Sequence, residues 1–295
     1  MVDIRLPDLH VGQGTHLGAV SVFPVWAAEP PVRGLATGRS AEVEVRELEH
    51  GPSVGRLDVR NTSAWPVLLL AGELFEGGWQ HRSLVHDLVL SAGQRAVVQV
   101  SCVEQGRWRG STRQVRLGRR ATLRMYMAQT APASSRQSEV WERVSAYDRE
   151  FGASATGTYL HHLSRPAPEP MSVAVLDGQR GVIVGVAGQP AFLELFPTTR
   201  SLRAHLPALL QSLAVDAAGL PAEPTPERRA RRFVARLSAD PTTSGALDLD
   251  AEAAAGSGRS VLARSARFDL RGVAWDERLA HVRVVDLTHA LTLAA

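Results

Sequence analysis

Side chains able to do chemistry concentrate between residues 66 and 109 of the 295-residue chain. Within this stretch Gly77-Gly78 is a two-residue turn signal, which predicts a β-hairpin. Counting outward from the turn places Glu73 opposite Arg82. Gln80 lies on the same side of the hairpin, because side chains alternate faces along a strand. The sequence therefore predicts a cluster of a carboxylate, an amide and a guanidinium beside an aromatic ring.

Two interpretations of this cluster are open. A cross-strand ion pair between Glu73 and Arg82 on a solvated hairpin would contribute less than about 1 kcal/mol and be purely structural. A ligand site would instead use Arg82 as a forked donor to a phosphate or carboxylate group. Both interpretations depend on the strand that follows.

Residues 96–104 are rich in β-branched side chains and predict a strand with Cys102 and Glu104 on one face. A thiol beside an acid is one arrangement for a nucleophile. A neighbouring carboxylate, however, raises the pKa of a thiol and opposes a reactive thiolate. Cys102 is therefore either a nucleophile or, as the sequence favours, a small buried apolar side chain.

A carboxylate, two arginines and an indole follow one another where this strand ends, at Glu104, Arg107, Trp108 and Arg109. These groups suit the recognition of a planar or anionic ligand, and they equally suit a salt bridge beside a packed tryptophan. In the ligand interpretation the arginines bind an anionic group and the indole packs against a planar one. The candidates are Glu73 and Glu104 as catalytic acid or base, Gln80, Arg82, Arg107 and Trp108 as ligand-binding residues, and Cys102 as a thiol.

Several common site signatures are missing from the chain. We find no phosphate-cradling GxxxxGK[ST], no GxGxxG, no HExxH and no GxSxG. His81 and His86 are five residues apart, and this spacing fits no strong metal motif. We predict no metal site, and the sequence specifies no cofactor.

The composition limits the class and the compartment. All 33 basic residues are arginine, the net charge is +3, and the arginines are spread along the chain, so we expect no specific nucleic-acid binding. A single cysteine excludes an internal disulfide framework and fits a reducing cytoplasm. Neither a secretion signal nor an apolar run of membrane-spanning length is present, so a cytoplasmic protein without membrane contact is expected. Oligomeric state stays open.

The first hundred or so residues predict about six short strands and no helix. This density of strands indicates an antiparallel β-rich half, a sandwich or a barrel. Besides the hairpin and residues 96–104, strand patterns cover residues 17–26, 41–48, 54–59 and 66–70.

The pattern after residue 112 is mixed. Helices are predicted over residues 116–127, over 140–151 with a stop at Gly152, around 206–213 with Pro207 in the first turn, and from Thr225 as N-cap to Leu237. A hairpin is predicted around Asp177-Gly178 within residues 171–186, a surface loop over 153–171, and strands over 245–249, 261–270 and 281–287. The fold class is therefore α+β, with a β-rich domain over residues 1–112 and a mixed domain over 113–295. Whether the last strands join the first sheet is left open.

The central stretch resembles a bacterial family, the ARG and Rhodanese-Phosphatase-superfamily-associated Protein domain. The second half resembles the family more loosely, through residues 182–202 and Leu210-Gln211-Ser212. Trp79 stands where that family usually has a basic or small residue. The residues that carry the resemblance are Asn61, Gly72-Glu73, Gly77-Gly78, Gln80, Arg82, Cys102, Glu104 and Gly106-Arg107-Trp108.

The resemblance implies a role beside NAD or ADP-ribose metabolism, through association with ADP-ribosylglycohydrolases rather than through a known reaction. Two hypotheses follow. The first is binding or processing of an ADP-ribose-type or nucleotide-like ligand, by a hydrolase if the protein is an enzyme. The second is a non-catalytic interaction protein whose polar cluster is structural.

Overall fold

The computed structural model describes residues 3–164, 171–250 and 255–293. Its helices are α1 (Leu123–Gln129), α2 (Arg136–Phe151), α3 (Leu160–Leu163), α4 (Thr199–Asp216), α5 (Glu227–Ala239), α6 (Pro241–Ser244) and α7 (Ala290–Leu293), with a 3-10 turn at Gly38–Ser40. Its strands are β1 (Leu9–Val11), β2 (Thr15–Leu17), β3 (Val20–Ala27), β4 (Ala36–Thr37), β5 (Val43–Arg46), β6 (Arg56–Asn61), β7 (Val67–Leu69), β8 (Leu74–Gly77), β9 (Arg82–Leu84), β10 (Leu88–Leu90), β11 (Arg95–Cys102), β12 (Arg113–Val115), β13 (Gly181–Val186), β14 (Gln189–Leu195), β15 (Asp248–Leu249), β16 (Arg259–Arg264), β17 (Phe268–Trp275) and β18 (Arg278–Asp286).

The larger of the sheets has nine strands and runs β1-β3-β13-β14-β18-β17-β16-β15, with β2 added beside β3. Ile183 at its centre pairs with Phe23 on one side and with Leu193 on the other. The C-terminal strands therefore join the first strands of the chain through β13 and β14. The predicted boundary at residue 112 stays a prediction, and strands from both sides of it share this sheet.

The central stretch belongs to a second unit, a closed barrel with the strand order β11-β6-β5-β12-β8-β9. Strand β11 closes it by changing partners: Arg95–Gln99 pair with β6, and Val100–Cys102 pair with β9. A short sheet, β10-β7-β4, completes this half, with β4 parallel to β7. The predicted α+β class is confirmed, and the barrel is the correct one of the two β-rich alternatives.

Helices cover both faces of the large sheet because its central strands are apolar on both sides. Val182 and Val184 of β13 share one core with the leucines of α4, whereas Ile183 shares another with Phe233 of α5. This is the alternation expected of a buried strand. The first core also includes Leu68 and other residues from the barrel half, so the two units pack together.

The prediction for residues 171–186 is partly wrong. Asp177-Gly178 forms a turn, and Trp26 donates a hydrogen bond to the Asp177 carbonyl at 2.9 Å, but residues 171–176 form no strand. The hairpin lies instead at Ala187-Gly188, between β13 and β14, with φ of 45° and 81°. Alanine is an unusual residue for a left-handed turn position, so the sequence carries no turn signal there.

Two helices begin at other residues than expected. Helix α4 starts at Thr199, where the Thr198 side chain accepts the Ser201 N–H at 3.0 Å, so Pro207 lies inside the helix and not in its first turn. Helix α5 has Pro226 as its N-cap rather than Thr225. Thr225 is wholly buried, and its N–H donates to Ser21 Oγ at 2.9 Å across the sheet. A local cap at Thr198 sets the start of α4, whereas packing, which a local pattern does not record, sets the position of Thr225.

Two further segments differ in extent. The helix predicted over residues 116–127 is shorter and begins later, as α1, because the Thr122 side chain caps it by accepting the Met125 N–H. The predicted surface loop over residues 153–171 contains α3, and its residues 165–170 lie outside the described ranges. In the described part of the chain, no helix has the length and apolarity needed to cross a bilayer.

Candidate functional site

Strands β8 and β9 form the hairpin that Gly77-Gly78 predicts, but with a different register. Phe75 lies opposite Arg82, so the predicted pairing of Glu73 with Arg82 is wrong. The turn is longer than two residues and reaches His81, whose Nδ1 accepts the Gly77 N–H at 2.9 Å. The shift is an even number of residues, so the side chains that share a face are unchanged.

Arg82 is fully buried within a cluster of predicted site residues. Its Nη1 donates to Gln80 Oε1 at 3.2 Å and lies 3.6 Å from Cys102 Sγ, and its Nη2 donates to the Ser53 carbonyl at 3.3 Å. Among the described residues Arg82 forms no ion pair, and burial lowers the pKa of its guanidinium. The predicted contact between Gln80 and Arg82 is present. Both side chains are buried, and their hydrogen bonds are made to other protein groups.

Arg107 fastens the hairpin turn to the exit of β11. Its guanidinium donates to both carboxylate oxygens of Glu104, with the shortest contact 2.7 Å, and to the carbonyls of Gly77 and Gly78 at 3.1 and 2.7 Å. The same carboxylate accepts the His81 N–H at 3.0 Å. Burial acts to raise the pKa of Glu104, but hydrogen bonds from Arg107 outweigh it and leave the pKa below its usual value. We call the set of hydrogen bonds from Arg107 to Glu104 and to the Gly77 and Gly78 carbonyls the Arg107 clasp.

Cys102 is completely buried beside the clasp. Its sulfur lies 2.9 Å from Gln80 Oε1 and 2.9 Å from the Glu104 carbonyl, to which Gln80 Nε2 also donates at 2.7 Å. Burial raises the pKa of the thiol, and this effect exceeds the opposing influence of Arg82. A protonated thiol without access to solvent favours a packing role over a nucleophilic one.

Glu73 lies apart from this cluster, although the sequence groups it there. Its carboxylate accepts the Leu70 N–H at 3.0 Å and two hydrogen bonds from Arg116, at 3.1 and 2.6 Å. Burial acts to raise its pKa, yet the charge of Arg116 outweighs burial and the pKa is lowered. The two predicted catalytic carboxylates, Glu73 and Glu104, are thus each ionised and each held by their own arginine.

Trp108 is the most accessible of the predicted site residues, with 45% of its surface exposed. Its ring meets the ring of Trp79 edge to face at a centroid distance of 5.7 Å. The Arg82 guanidinium lies 5.8 Å from the centre of the same ring. An indole in this position shields the buried arginine and leaves one edge open to solvent.

A second group of charged side chains, which the sequence did not reveal, lies where the barrel meets the large sheet. Glu194 of β14 is completely buried and accepts hydrogen bonds from Arg120 at 2.7 Å, Arg283 at 2.9 Å and His281 at 3.0 Å. The other ring nitrogen of His281 lies 2.6 Å from the carboxylate of Asp87. We call these five residues the buried ionic network.

Charges in the network stabilise one another. Burial acts to raise the pKa of Glu194 and of Asp87, but the neighbouring cations outweigh it and both pKa values are lowered. Burial acts to lower the pKa of His281, but Asp87 and Glu194 outweigh it and the pKa is raised. Both ring nitrogens of His281 face carboxylate oxygens, so both carry a proton and the ring is an imidazolium.

A cleft of about 680 Å³ opens in the barrel wall where β11 changes partners. Arg56 of β6 and Arg136, in the first turn of α2, both line the cleft. Arg136 donates to Gln99 Oε1 at 2.9 Å, and the buried Ser101 hydroxyl has no hydrogen-bond partner in the described structure. We call this space the barrel cleft. It is lined by Ser53, Val54, Gly55, Arg56, Leu84, His86, Asp87, Leu88, Val97, Val98, Gln99, Val100, Ser101, Ala133, Arg136, Gln137 and Ala255.

A family model described as ARPP-1, the ARG and Rhodanese-Phosphatase-superfamily-associated Protein domain, matches residues 8–285. The chain belongs to this family. No curated protein and no solved structure shows a significant match to it.

This ARPP-1 chain brings together most of the predicted site residues, namely Gln80, Arg82, Cys102, Glu104, Arg107 and Trp108, and leaves Glu73 outside. Sequence reasoning missed the buried ionic network. One available signal was a charged residue inside an otherwise apolar strand, as Glu194 and Arg283 are, because such residues are rarely buried without a partner. Among the described residues, no three His, Cys, Asp or Glu side chains are arranged to hold a metal ion.

Proposed function

We propose that this protein binds a nucleotide-like, phosphate-bearing ligand in the barrel cleft. The observation that carries this proposal is the convergence of Arg56 and Arg136 on one cavity of about 680 Å³. That volume falls within the usual range for small-ligand sites, about 300–1,000 Å³. Arginine is the side chain best suited to hold phosphate, because its planar fork can donate two parallel hydrogen bonds. The exposed Arg56 would supply this fork, and Arg136, whose Nε and Nη1 donate to Gln129 and Gln99, would add its positive charge.

The remaining walls suit the rest of such a ligand. Val54 and Val97 expose 37% and 53% of their surface beside the cleft and offer an apolar support for a base. The family name, with its link to ADP-ribosylglycohydrolases, supports ADP-ribose as the first ligand to try.

The predicted site residues take a positioning role in this proposal. Arg82 and the Arg107 clasp hold the end of β11 through protein groups, and the residues just before that end form a wall of the cleft. Gln137 of α2 supports the same strand, since its amide accepts the Cys102 N–H at 2.9 Å and donates to the Cys102 carbonyl at 2.8 Å. In this proposal the phosphate is bound by Arg56 and Arg136, and not by Arg82 and Arg107 as the sequence predicts.

The test is a ligand titration followed by thermal unfolding, with ADP-ribose, NAD, AMP and nicotinamide. We expect ADP-ribose to raise Tm in a saturable way, and Arg56→Ala to weaken its binding about tenfold, the loss of one charge-assisted contact. Arg60→Ala is the matched control, because Arg60 is also exposed on β6 but lies outside the cleft. A flat response to all four compounds, or equal affinity in both variants, would refute the proposal.

One observation favours a second candidate, a non-catalytic interaction protein. Gln80, Arg82, Glu104 and Arg107 form hydrogen bonds mainly with one another and with the backbone, as a structural cluster would. In that case Arg107→Met would lower stability and leave every ligand response unchanged. A ligand response lost in Arg56→Ala and kept in Arg60→Ala would exclude this candidate.

A further inference from the structure

The buried ionic network contains an unequal number of positive and negative groups. Arg120 and Arg283 are always protonated, and His281 carries two protons because a carboxylate faces each ring nitrogen. Against these three cations stand only Glu194 and Asp87, so the network has one excess positive charge. An uncompensated charge away from water raises the free energy of the folded state. A negatively charged group is therefore expected to balance this excess.

The charged groups packed around the network do not supply that partner. Glu73 is matched by Arg116, with their closest atoms 2.6 Å apart. Asp269 lies 2.9 Å from Arg271 and 3.3 Å from Arg264.

Asp250 belongs to the same group, with its carboxylate 3.9 Å from Arg271 and 3.4 Å from His86. Asp250 and Asp269 together are matched by Arg271 and Arg264. His205, also nearby, has its pKa lowered by burial to about 4 and is neutral at pH 7.

Several N–H groups of the network also lack acceptors. Nε and Nη1 of Arg120 and Nε of Arg283 are buried and have no hydrogen-bond partner in the described part of the chain. The two side chains are only 2% and 3% exposed. Both line a small cavity of about 10 Å³, together with His281 and Asp87. A cavity of this size accommodates about one water-sized species.

We propose that this cavity is a binding site for a single monatomic anion, chloride in practice. A chloride ion would neutralise the excess charge and accept hydrogen bonds from the arginine N–H groups that have no acceptor. It would contact the arginine N–H groups and not the carboxylates of Asp87 and Asp250, which also line the cavity. Phosphate and nucleotides exceed the cavity, so this site is separate from the ligand site of the barrel cleft.

The deciding experiment is a crystal of the unaltered protein soaked in sodium bromide and measured at the bromine absorption edge. We expect one anomalous peak between Arg120 and Arg283. In parallel, replacing gluconate by chloride at constant ionic strength should raise Tm in a saturable way, by about 3 °C at a tenfold excess over Kd. No anomalous peak in the cavity together with an unchanged Tm would overturn the proposal and identify the cavity as a water site.

Variants separate a bound ion from a general salt effect. Arg120→Gln removes one positive charge and two of the N–H groups without acceptors, so its Tm should no longer respond to chloride. Arg231→Ala removes one positive charge from the exposed face of α5 and should respond as the unaltered protein does. If Arg120→Gln does not fold, the bromide map still decides. An equal chloride response in Arg120→Gln and Arg231→Ala would show a general salt effect and count against the site.

Discussion

Replacing Glu194 by glutamine is the most direct test of the buried ionic network. The substitution keeps the size of the side chain and one acceptor oxygen, and it removes the negative charge that Arg120, Arg283 and His281 share. Three cations would then face Asp87 alone. The amide would also present N–H groups to arginine donors, at a position with no exposure to water.

The size of the effect follows from the burial of the whole group. Removing one partner from a buried ion pair typically costs about 3–5 kcal/mol, because the opposite charge is left without compensation. Glu194 accepts three charge-assisted hydrogen bonds, so we place Glu194→Gln within that range and not below it. For a chain of this size the corresponding fall in Tm is roughly 10 °C.

The assay is urea unfolding followed by circular dichroism, with thermal unfolding as a second measurement. Glu142→Gln is the matched control, since Glu142 is exposed on α2 and loses the same charge, and its unfolding free energy should change by less than about 0.5 kcal/mol. A loss below about 1 kcal/mol for Glu194→Gln would mean that the network is not ionised as described, and that reasoning would fail.

Three further predictions concern other parts of the molecule. Arg107→Met should lower the unfolding free energy by about 1–3 kcal/mol in urea, since the clasp is largely buried, whereas Arg109→Ala on the exposed neighbour should change it little. Cys102 should resist labelling by a thiol reagent in the folded protein and react fully in urea; rapid labelling of the folded form would contradict its burial. His205 has a folded pKa of about 4, below its unfolded value of 6.5, so the unfolded chain takes up the proton first and stability is lost as pH falls between these values. His205→Gln should lose less stability over that range, by as much as ~3 kcal/mol, and an identical pH profile would refute this.

Local sequence patterns predicted most of the individual helices and strands. Alternation and turn signals predicted the barrel strands other than β12, and the spacing of Val140, Val144 and Tyr147 before Gly152 matches α2. The pairing of β13 with β3 and β18 with β14 was beyond reach, because strands far apart in sequence show no sign of their partner. The predicted start of α5 was wrong for the same reason, because Thr225 resembles a cap and is instead held by Ser21.

The candidate site was predicted in composition more than in arrangement. Counting from the turn correctly brought Gln80 next to Arg82, because that relation depends only on the alternation of side chains. The expected partner of Arg82 was wrong, since the length of the turn sets the register and a Gly-Gly pair does not fix that length. Asp87 and Glu194 went unnoticed as a pair because His281, which joins them, lies almost two hundred residues after the first of the two.

The pairing of β3 with β13 has a consequence for how the chain folds. Phe23 meets Ile183 only after all intervening residues have been made, whereas the barrel strands lie within residues 43–115. Closing a long loop is slow, because its entropy is lost before the contact is gained. During synthesis we therefore expect the barrel to form first, while β3, an apolar strand already able to pair with β1 and β2, keeps the edge that pairs with β13 open. A chaperone that binds exposed apolar strands would act on this segment and in this interval.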